Sequence, residues 1–350
     1  MTVARGEGRL SRVTTRAWVS VLIGAVVSAV LAYLVVRTVR WSEVLQGFQR
    51  VEYRYLALAA VGVAVMHGLR AWRLTVILRP VQWVRLWPAY CYTSIGFLAI
   101  LVIPFRIGEL ARPLLLAEHE NVPFATGLAA VAVERCLDGL AFAGLVALLA
   151  PWMPLPGWAV PLGYLMGVGY LMLLGLLMWA WLCRAACVAV VTRIGQWIFP
   201  TRGLTIGEAL RRFLNGLAFL PDSRAVGVTV LLSIAIWLTG IWVNYVSFFA
   251  IGLSLPVVAA AVLQILITVG VLLPTAPGAL GTFQFFTVMG LALFGVGEAL
   301  ALTYAIVVHA MVLIVYTVLG LTCSLKIQVG WWRQLRGLSM SGIGRGESAR

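Results

Sequence analysis

The chain is short of charge. Asp, Glu, Lys and Arg make up 11% of its 350 residues, where a soluble domain carries about a quarter. That scarcity excludes an ordinary soluble enzyme. Only two Asp occur, Asp138 and Asp222, and a single Lys, Lys326. The HExxH, GxSxG, GxxxxGK[ST] and GxGxxG patterns are all missing, so the usual zinc, serine-hydrolase and nucleotide-binding chemistries lack their residues. The cysteines at 91, 136, 183, 187 and 323 form no CxxC pair, which argues against a disulfide framework or a zinc site. No cofactor and no metal are expected. An intramembrane hydrolase or transferase built on Glu109, Glu134 or Asp138 is the weaker reading, and a non-enzymatic role the stronger.

What is abundant is apolar sequence. The chain is 62% hydrophobic with a mean hydropathy of +1.00, enough for roughly eight spans of about 20 residues. Lys and Arg outnumber Asp and Glu by 26 to 12, for a net charge of +14. The Arg residues sit in short loops between apolar runs, where the positive-inside rule accounts for them without nucleic acid.

Nine apolar segments follow in order: 17–36, 55–78, 88–104, 123–150, 158–182, 225–251, 256–274, 278–296 and 298–324. The first is too long for a signal-peptide core and lacks a small-x-small cleavage pattern. Nine full crossings from a cytoplasmic N-terminus would place the segment 183–224 outside, although it carries Arg184, Arg193, Arg202, Arg211, Arg212 and Arg224. Two breaks rich in Pro and Gly resolve the parity: Ile103-Pro104-Phe105-Arg106-Ile107-Gly108-Glu109, and Leu273 to Gly281. If 88–120 and 256–296 enter and return on their own side, six full spans remain and both termini are cytoplasmic. The expected fold is an all-α polytopic bundle of about six spans with two re-entrant helical hairpins, occupying 1–325, followed by a disordered cytoplasmic tail at 326–350 that is Gly- and Ser-rich from Gly337 onward. Residues 37–54, with four Arg and two Glu, then lie outside and run against the rule.

A faint repeat accompanies the hairpins. Pro104-x-x-x-Gly108 matches Pro274-x-x-x-Gly278, and Val122 and Arg135 align with Val296 and His309. One hairpin opening inward and one outward is what an inverted repeat requires. Residues 205–222, within the cytoplasmic stretch 183–224, alternate apolar and basic positions at helical spacing, as an interfacial amphipathic helix does.

Charges inside the membrane are costly and should face a partner or a wet cavity. One cluster is Arg106, Glu109 and Arg112 at the first break, on one face if helical. Another is Glu134, Arg135 and Asp138 in the middle of 123–150, open to two readings: a structural ion-pair network, or ligand binding. At the second break Gly278, Gly281 and Thr282 leave backbone N–H groups at a helix start, which suits an anion. Gln284 and His309 can add polar contacts. His67 and Arg70, near the end of the second span, are read as snorkelling to headgroups.

Pro104-x-Arg106-x-Gly108-Glu109-x-x-Arg112, then Glu134-Arg135-x-x-Asp138, then Leu273-Pro274-x-x-x-Gly278-x-x-Gly281-Thr282 resemble the successive motifs of the lysylphosphatidylglycerol synthase transmembrane-region family of flippase-like proteins. The resemblance runs over about 90–325, closest to stand-alone members without the aminoacyl-transferase domain. It implies re-entrant helices and movement of a phospholipid, an aminoacyl-phospholipid or a polyprenyl-phosphate lipid between leaflets of a prokaryotic cytoplasmic membrane. Gln284 stands where an acid is expected and His309 where Arg is expected. The expected partners are lipids with anionic or polyprenyl-phosphate headgroups, together with a lipid-modifying or glycosyl transferase. The competing reading is a non-transporting membrane partner of such a transferase.

Overall fold

The computed structural model describes Val26, Arg37 and residues 28–34, 41–103, 108–153, 155–198, 203–273 and 277–327. Most of the expected span 17–36, with Pro104, Arg106, Pro274 and the tail beyond 327, lies outside the described residues. Among the described residues all regular structure is helical. In chain order the helices are α1 (Trp41–Gln49), α2 (Tyr53–Leu78), α3 (Leu86–Val102), α4 (Ala111–His119), α5 (Phe124–Leu149), α6 (Ala159–Leu182), α7 (Arg184–Ile198), α8 (Gly203–Asn215), α9 (Ser223–Ala250), α10 (Val257–Leu272), α11 (Thr282–Ala292) and α12 (Glu298–Ile327).

Helices α2, α6, α9 and α12 are long and apolar enough to cross a membrane. Helix α5 has 26 residues, as α2 does; at 1.5 Å per residue it is about 39 Å long, sufficient for a hydrocarbon core of about 30 Å. Only its three central charges set it apart. The chain is a polytopic helical membrane protein.

The two Pro- and Gly-rich breaks interrupt helices where expected. Helices α3 and α10 have 17 and 16 residues, while the helices packed back on them, α4 and α11, have 9 and 11. At about 14–17 Å these second helices reach only halfway through a bilayer, as re-entrant segments do. A 3-10 turn closes each break, at 108–110 and at Pro277–Ala279. The two turns have different causes. At Gly108 the chain lies against the backbone of Ala99 and Ile100, leaving no room for a Cβ. Gly278 and Gly281 instead take φ of 70° and 84°, the left-handed region that glycine enters without penalty.

The structural repeat is longer than the sequence suggests. Helices α2, α3, α4 and α5 have 26, 17, 9 and 26 residues; α9, α10, α11 and α12 have 28, 16, 11 and 30. Each unit therefore begins one helix before its hairpin, and the two leading helices, α2 and α9, pack along one another. One apolar core gathers α5, α9, α10, α11 and α12. A second joins α2, α3, α4, α5 and α8.

Residues 183–224 differ from the expectation of a loop with one amphipathic helix over 205–222. They form a helical hairpin, α7 on α8, and α8 stops at Asn215. The reason is its anchorage on α5: the Thr126 hydroxyl donates to the Arg212 carbonyl at 2.7 Å, and Gly216 fits against Ala129 and the Thr126 carbonyl with no room for a side chain. Leu214, Leu217 and Phe219 are buried in the protein core, whereas Leu204 and Ile206, at the other end of the helix, are exposed. Asp222 then caps α9, accepting from the Arg224 and Ala225 amides at 3.0 and 3.2 Å, which satisfies two of its orphan donors.

Candidate functional site

Three carboxylates and three guanidinium groups of the first unit form one ion-pair network. Arg73, on α2, is fully buried. Its Nη1 donates to Asp138 Oδ1 at 2.8 Å and to Ser233 Oγ, on α9, at 2.9 Å, and its Nε lies 3.7 Å from Glu134 Oε1. From α4, Arg112 donates to Glu134 Oε2 at 2.6 Å. Arg135 lies 3.1 Å from Asp138 and 3.8 Å from Glu109.

These contacts change how the two sequence clusters read. Arg112, expected to face only Glu109, turns to Glu134 on α5 and is buried with it. Glu109 pairs instead with Arg135, so the clusters are a single tertiary network joining hairpin, α2 and α5. Of the two readings open for Glu134, Arg135 and Asp138, this geometry is that of ion pairing. Each carboxylate already faces at least one guanidinium, which leaves none free to receive a cationic headgroup.

Between the two breaks lies a cavity of about 740 Å³. Glu109 and Leu110 reach it from the first break, Gly278 and Ala279 from the second, Arg135 and Asp138 from α5, and His309 from α12. Arg135 and His309, aligned by the repeat, thus share one chamber. Arg112, Glu134, Gly281, Thr282 and Gln284 stand outside its lining; Arg106 lies outside the described residues. The remainder of the wall is largely apolar, with Asn244, Gln264, Thr268, Tyr170 and Tyr316 as its neutral polar side chains.

The second break is tied by a chain of hydrogen bonds. The Gly281 amide donates to Gln284 Oε1 at 2.8 Å. That fixes the orientation of the Gln284 amide, so its Nε2 donates to His309 Nδ1, 3.0 Å away, and Nδ1 must be unprotonated. The imidazole is in turn stacked on Phe283, with ring centroids 4.2 Å apart. Thr282 Oγ1 donates to the Ala279 carbonyl at 2.9 Å. The amide cluster expected to be open to an anion is therefore partly closed, because the Gly281 amide is taken by Gln284. His309 and Gln284 pin the break to α12.

Two residues of α2 are the ones sequence reasoning missed. Arg73 is the hub of the network, and Arg70 lines the cavity with its guanidinium over the Phe97 ring at 4.5 Å. The snorkelling assigned to His67 and Arg70 does not occur: His67 is fully buried, with Nδ1 3.4 Å from Ser94 Oγ. A signal was present. Leu74-Thr75-Val76-Ile77-Leu78 continues the apolar run beyond Arg73, so the two Arg lie inside the span and not at its end.

A helical bundle with two broken hairpins meeting at a charged chamber defines the class: a polytopic helical membrane protein. The chain belongs to the lysylphosphatidylglycerol synthase transmembrane-region family, whose model matches residues 21–320. It is similar to "Glycosyltransferase AglD" of Haloferax volcanii, 27% identical over 91% of this chain and 56% of that protein. It is also similar to a "UPF0104 membrane protein" of Methanothermobacter thermautotrophicus, 25% identical over 62% of this chain and 67% of that protein. The chain thus spans little more than half the length of the first relative. No solved structure matches at a significant level.

Proposed function

We propose that the protein is a lipid flippase or lipid-linked transporter, moving a lipid with a phosphate-containing headgroup between leaflets. The observation that carries this reading is the chamber of about 740 Å³ at the junction of two helix breaks, charged on one side and apolar on most of its wall. Such a chamber shelters a polar headgroup while acyl or prenyl chains stay in the hydrocarbon, and broken helices at a repeat interface are where transporters place substrate. The intramembrane charges, each costing about 2.5–3.5 kcal/mol on insertion scales, are then retained to hold the chamber open and polar. Alternating access is a rocking of the two repeat units about α2 and α9. No bond is made or broken, and without an ATP-binding motif uphill movement draws on an ion gradient, a substrate gradient or a partner. The Arg residues of the N-terminal arm, of the 79–85 turn and of the α7–α8 hairpin support, by the positive-inside rule, a reading with both termini on the cytoplasmic face of a prokaryotic membrane.

A second reading makes the bundle a non-transporting membrane partner of a lipid-modifying or glycosyl transferase. It is favoured by one observation: a relative named as a glycosyltransferase extends well beyond the region it shares with this chain. Leaflet exchange of fluorescent phospholipid in proteoliposomes separates the two. The transport reading expects exchange above that of protein-free vesicles, abolished in a folded Thr268→Trp variant that fills the chamber. Folded wild-type protein that exchanges no lipid would give the ground to the second reading.

A further inference from the structure

The α7–α8 hairpin carries an apolar stripe that no described residue covers. On α7, Val190, Ile194, Trp197 and Ile198 recur at i, i+4, i+7 and i+8, one face of a helix, and they are 55%, 51%, 85% and 52% exposed. The opposite face meets α8: Gly195 lies against the Gly203 backbone, and Gly207 against the Thr192 side chain. The stripe therefore points away from the protein. Helix α7 is too short to span, since its 15 residues make about 22 Å against a hydrocarbon core of about 30 Å. Its depth is set by three long helices that end at the hairpin. Helix α6 stops at Leu182, with only Cys183 between it and α7. Thr126, in the first turn of α5, holds the Arg212 carbonyl of α8, and α9 starts at Ser223, directly after its cap.

We infer that α7 lies flat in the membrane–water boundary, with this stripe sunk among the acyl chains of an anionic bilayer surface. Charge selects that occupant. The two helices carry Arg184, Arg193, Arg211 and Arg212 against a single acid, Glu208, and all four Arg are exposed. An apolar face bordered by Arg is the pattern of a helix that lies in the plane of a membrane and draws anionic headgroups. Indole groups mark the same level, where Trp is enriched: Trp181 sits under the Arg184 guanidinium at 5.1 Å, and Trp197 is the most exposed residue of the stripe. The lipid-facing helix is thus α7, ahead of the 205–222 stretch, whose apolar residues Leu214, Leu217 and Phe219 are buried in the protein core. Because Thr126 and Gly216 fasten the hairpin to α5, its seat fixes the height of the helix that carries Glu134, Arg135 and Asp138. None of this depends on whether the bundle moves lipid.

The experiment uses the full chain in nanodiscs, with Cys183→Ser and Cys187→Ser so that the remaining Cys91, Cys136 and Cys323 are buried in the bundle. One further substitution, Ile194→Cys on the stripe or Asn215→Cys on the exposed end of α8, carries a nitrobenzoxadiazole label; Val190→Cys repeats the stripe measurement one turn earlier. Phosphatidylcholine with brominated acyl chains is expected to quench the stripe labels at least about threefold more than the label at 215. Exchanging part of the phosphatidylcholine for phosphatidylglycerol should shift the emission of the stripe labels to the blue, and Arg184→Gln with Arg193→Gln should remove that shift, as should high salt. Equal quenching at 194 and 215 would overturn the seat. Stripe labels shielded from aqueous iodide yet untouched by brominated chains would overturn it as well, because a second protein surface then covers the stripe. A phosphatidylglycerol shift that is absent, or that survives the loss of both Arg, would overturn the choice of an anionic surface. Leaflet exchange enters none of these readouts, so failure of the transport reading leaves this inference standing, and failure of this inference leaves transport untouched.

Discussion

The two repeat units have nearly the same architecture and opposite chemistry. The unit α2–α5 buries Arg73, Arg112 and Glu134 and brings Arg70, Glu109, Arg135 and Asp138 to the chamber. The unit α9–α12 has no charged residue between Arg224 and Glu298 and offers Asn244, Gln264, Thr268 and His309 instead. Geometry duplicated with charge on one side teaches that the broken hairpin is the scaffold and that charge was placed on one copy of it. The neutral copy closes its break with hydrogen bonds, Gly281 to Gln284 to His309, where the charged copy holds its own with ion pairs.

If that contrast is right, the units should respond differently to loss of a polar partner. The largest effect belongs to the charged unit. Glu134→Leu strands the buried guanidinium of Arg112 and should cost about 3–5 kcal/mol, read as a large fall in melting temperature or in yield of folded protein. Removing both partners, in Arg112→Met with Glu134→Leu, should recover much of the loss, because a buried pair replaced by apolar groups is often neutral. A double variant no better than the single one would break the comparison.

The breaks come next. Gly108→Ala must push apart the backbone of two chain segments and should cost about 1–3 kcal/mol or more. Gly278→Ala meets only the Leu313 side chain, at 3.6 Å, and is limited to the left-handed backbone penalty of about 1–2 kcal/mol. Chemical melts of the two variants side by side would sharpen the difference between a break set by close approach and one set by handedness. In the neutral unit, Asn244 Nδ2 donates to Gln264 Oε1 at 2.9 Å. Asn244→Leu should cost about 1 kcal/mol, and the Asn244→Leu, Gln264→Leu pair less than that; a loss as large as that of Glu134→Leu would erase the contrast between units.

The smallest effect lies outside both units, on α8. Glu208 accepts hydrogen bonds from Arg211 and Arg212, which hold its carboxyl at about 2, below an ordinary 4.5. A depressed carboxylate contributes stability that is fully present above about pH 4.5 and is lost as pH falls toward 2. The group is exposed and screened, so the effect is slight. The melting-temperature gap between wild type and Glu208→Gln should narrow from pH 6.5 to pH 3, and a widening gap would contradict the pairing.

Much of this organisation is legible in the sequence because it rests on local chemistry. Pro and Gly at 103–109 and 273–281 stop helices whatever surrounds them, and acids with Arg in the middle of 123–150 demand partners wherever they go. What stays hidden is which partner is chosen. Nothing in spacing pairs Arg112 with Glu134, 22 residues on, or brings Arg73 to Asp138 across two helices; those choices are made when α2, α4 and α5 pack. Glu109 and Arg112 share a face only if one helix carries both, and the 3-10 turn at 108–110 sends them to different neighbours. The amphipathic pattern at 205–222 is real, yet its apolar side meets α5 as well as the surroundings, a choice periodicity does not encode. Arg70 was passed over for the same reason as Arg73: without the packed structure, an Arg toward the end of a span reads as a headgroup contact.

The most direct test is a structure of the protein in lipid nanodiscs containing phosphatidylglycerol. The account predicts headgroup density in the chamber between the 108–110 and 277–279 turns, and its disappearance in Thr268→Trp. A dry chamber with ordered headgroups only around α7 and α8 would contradict it.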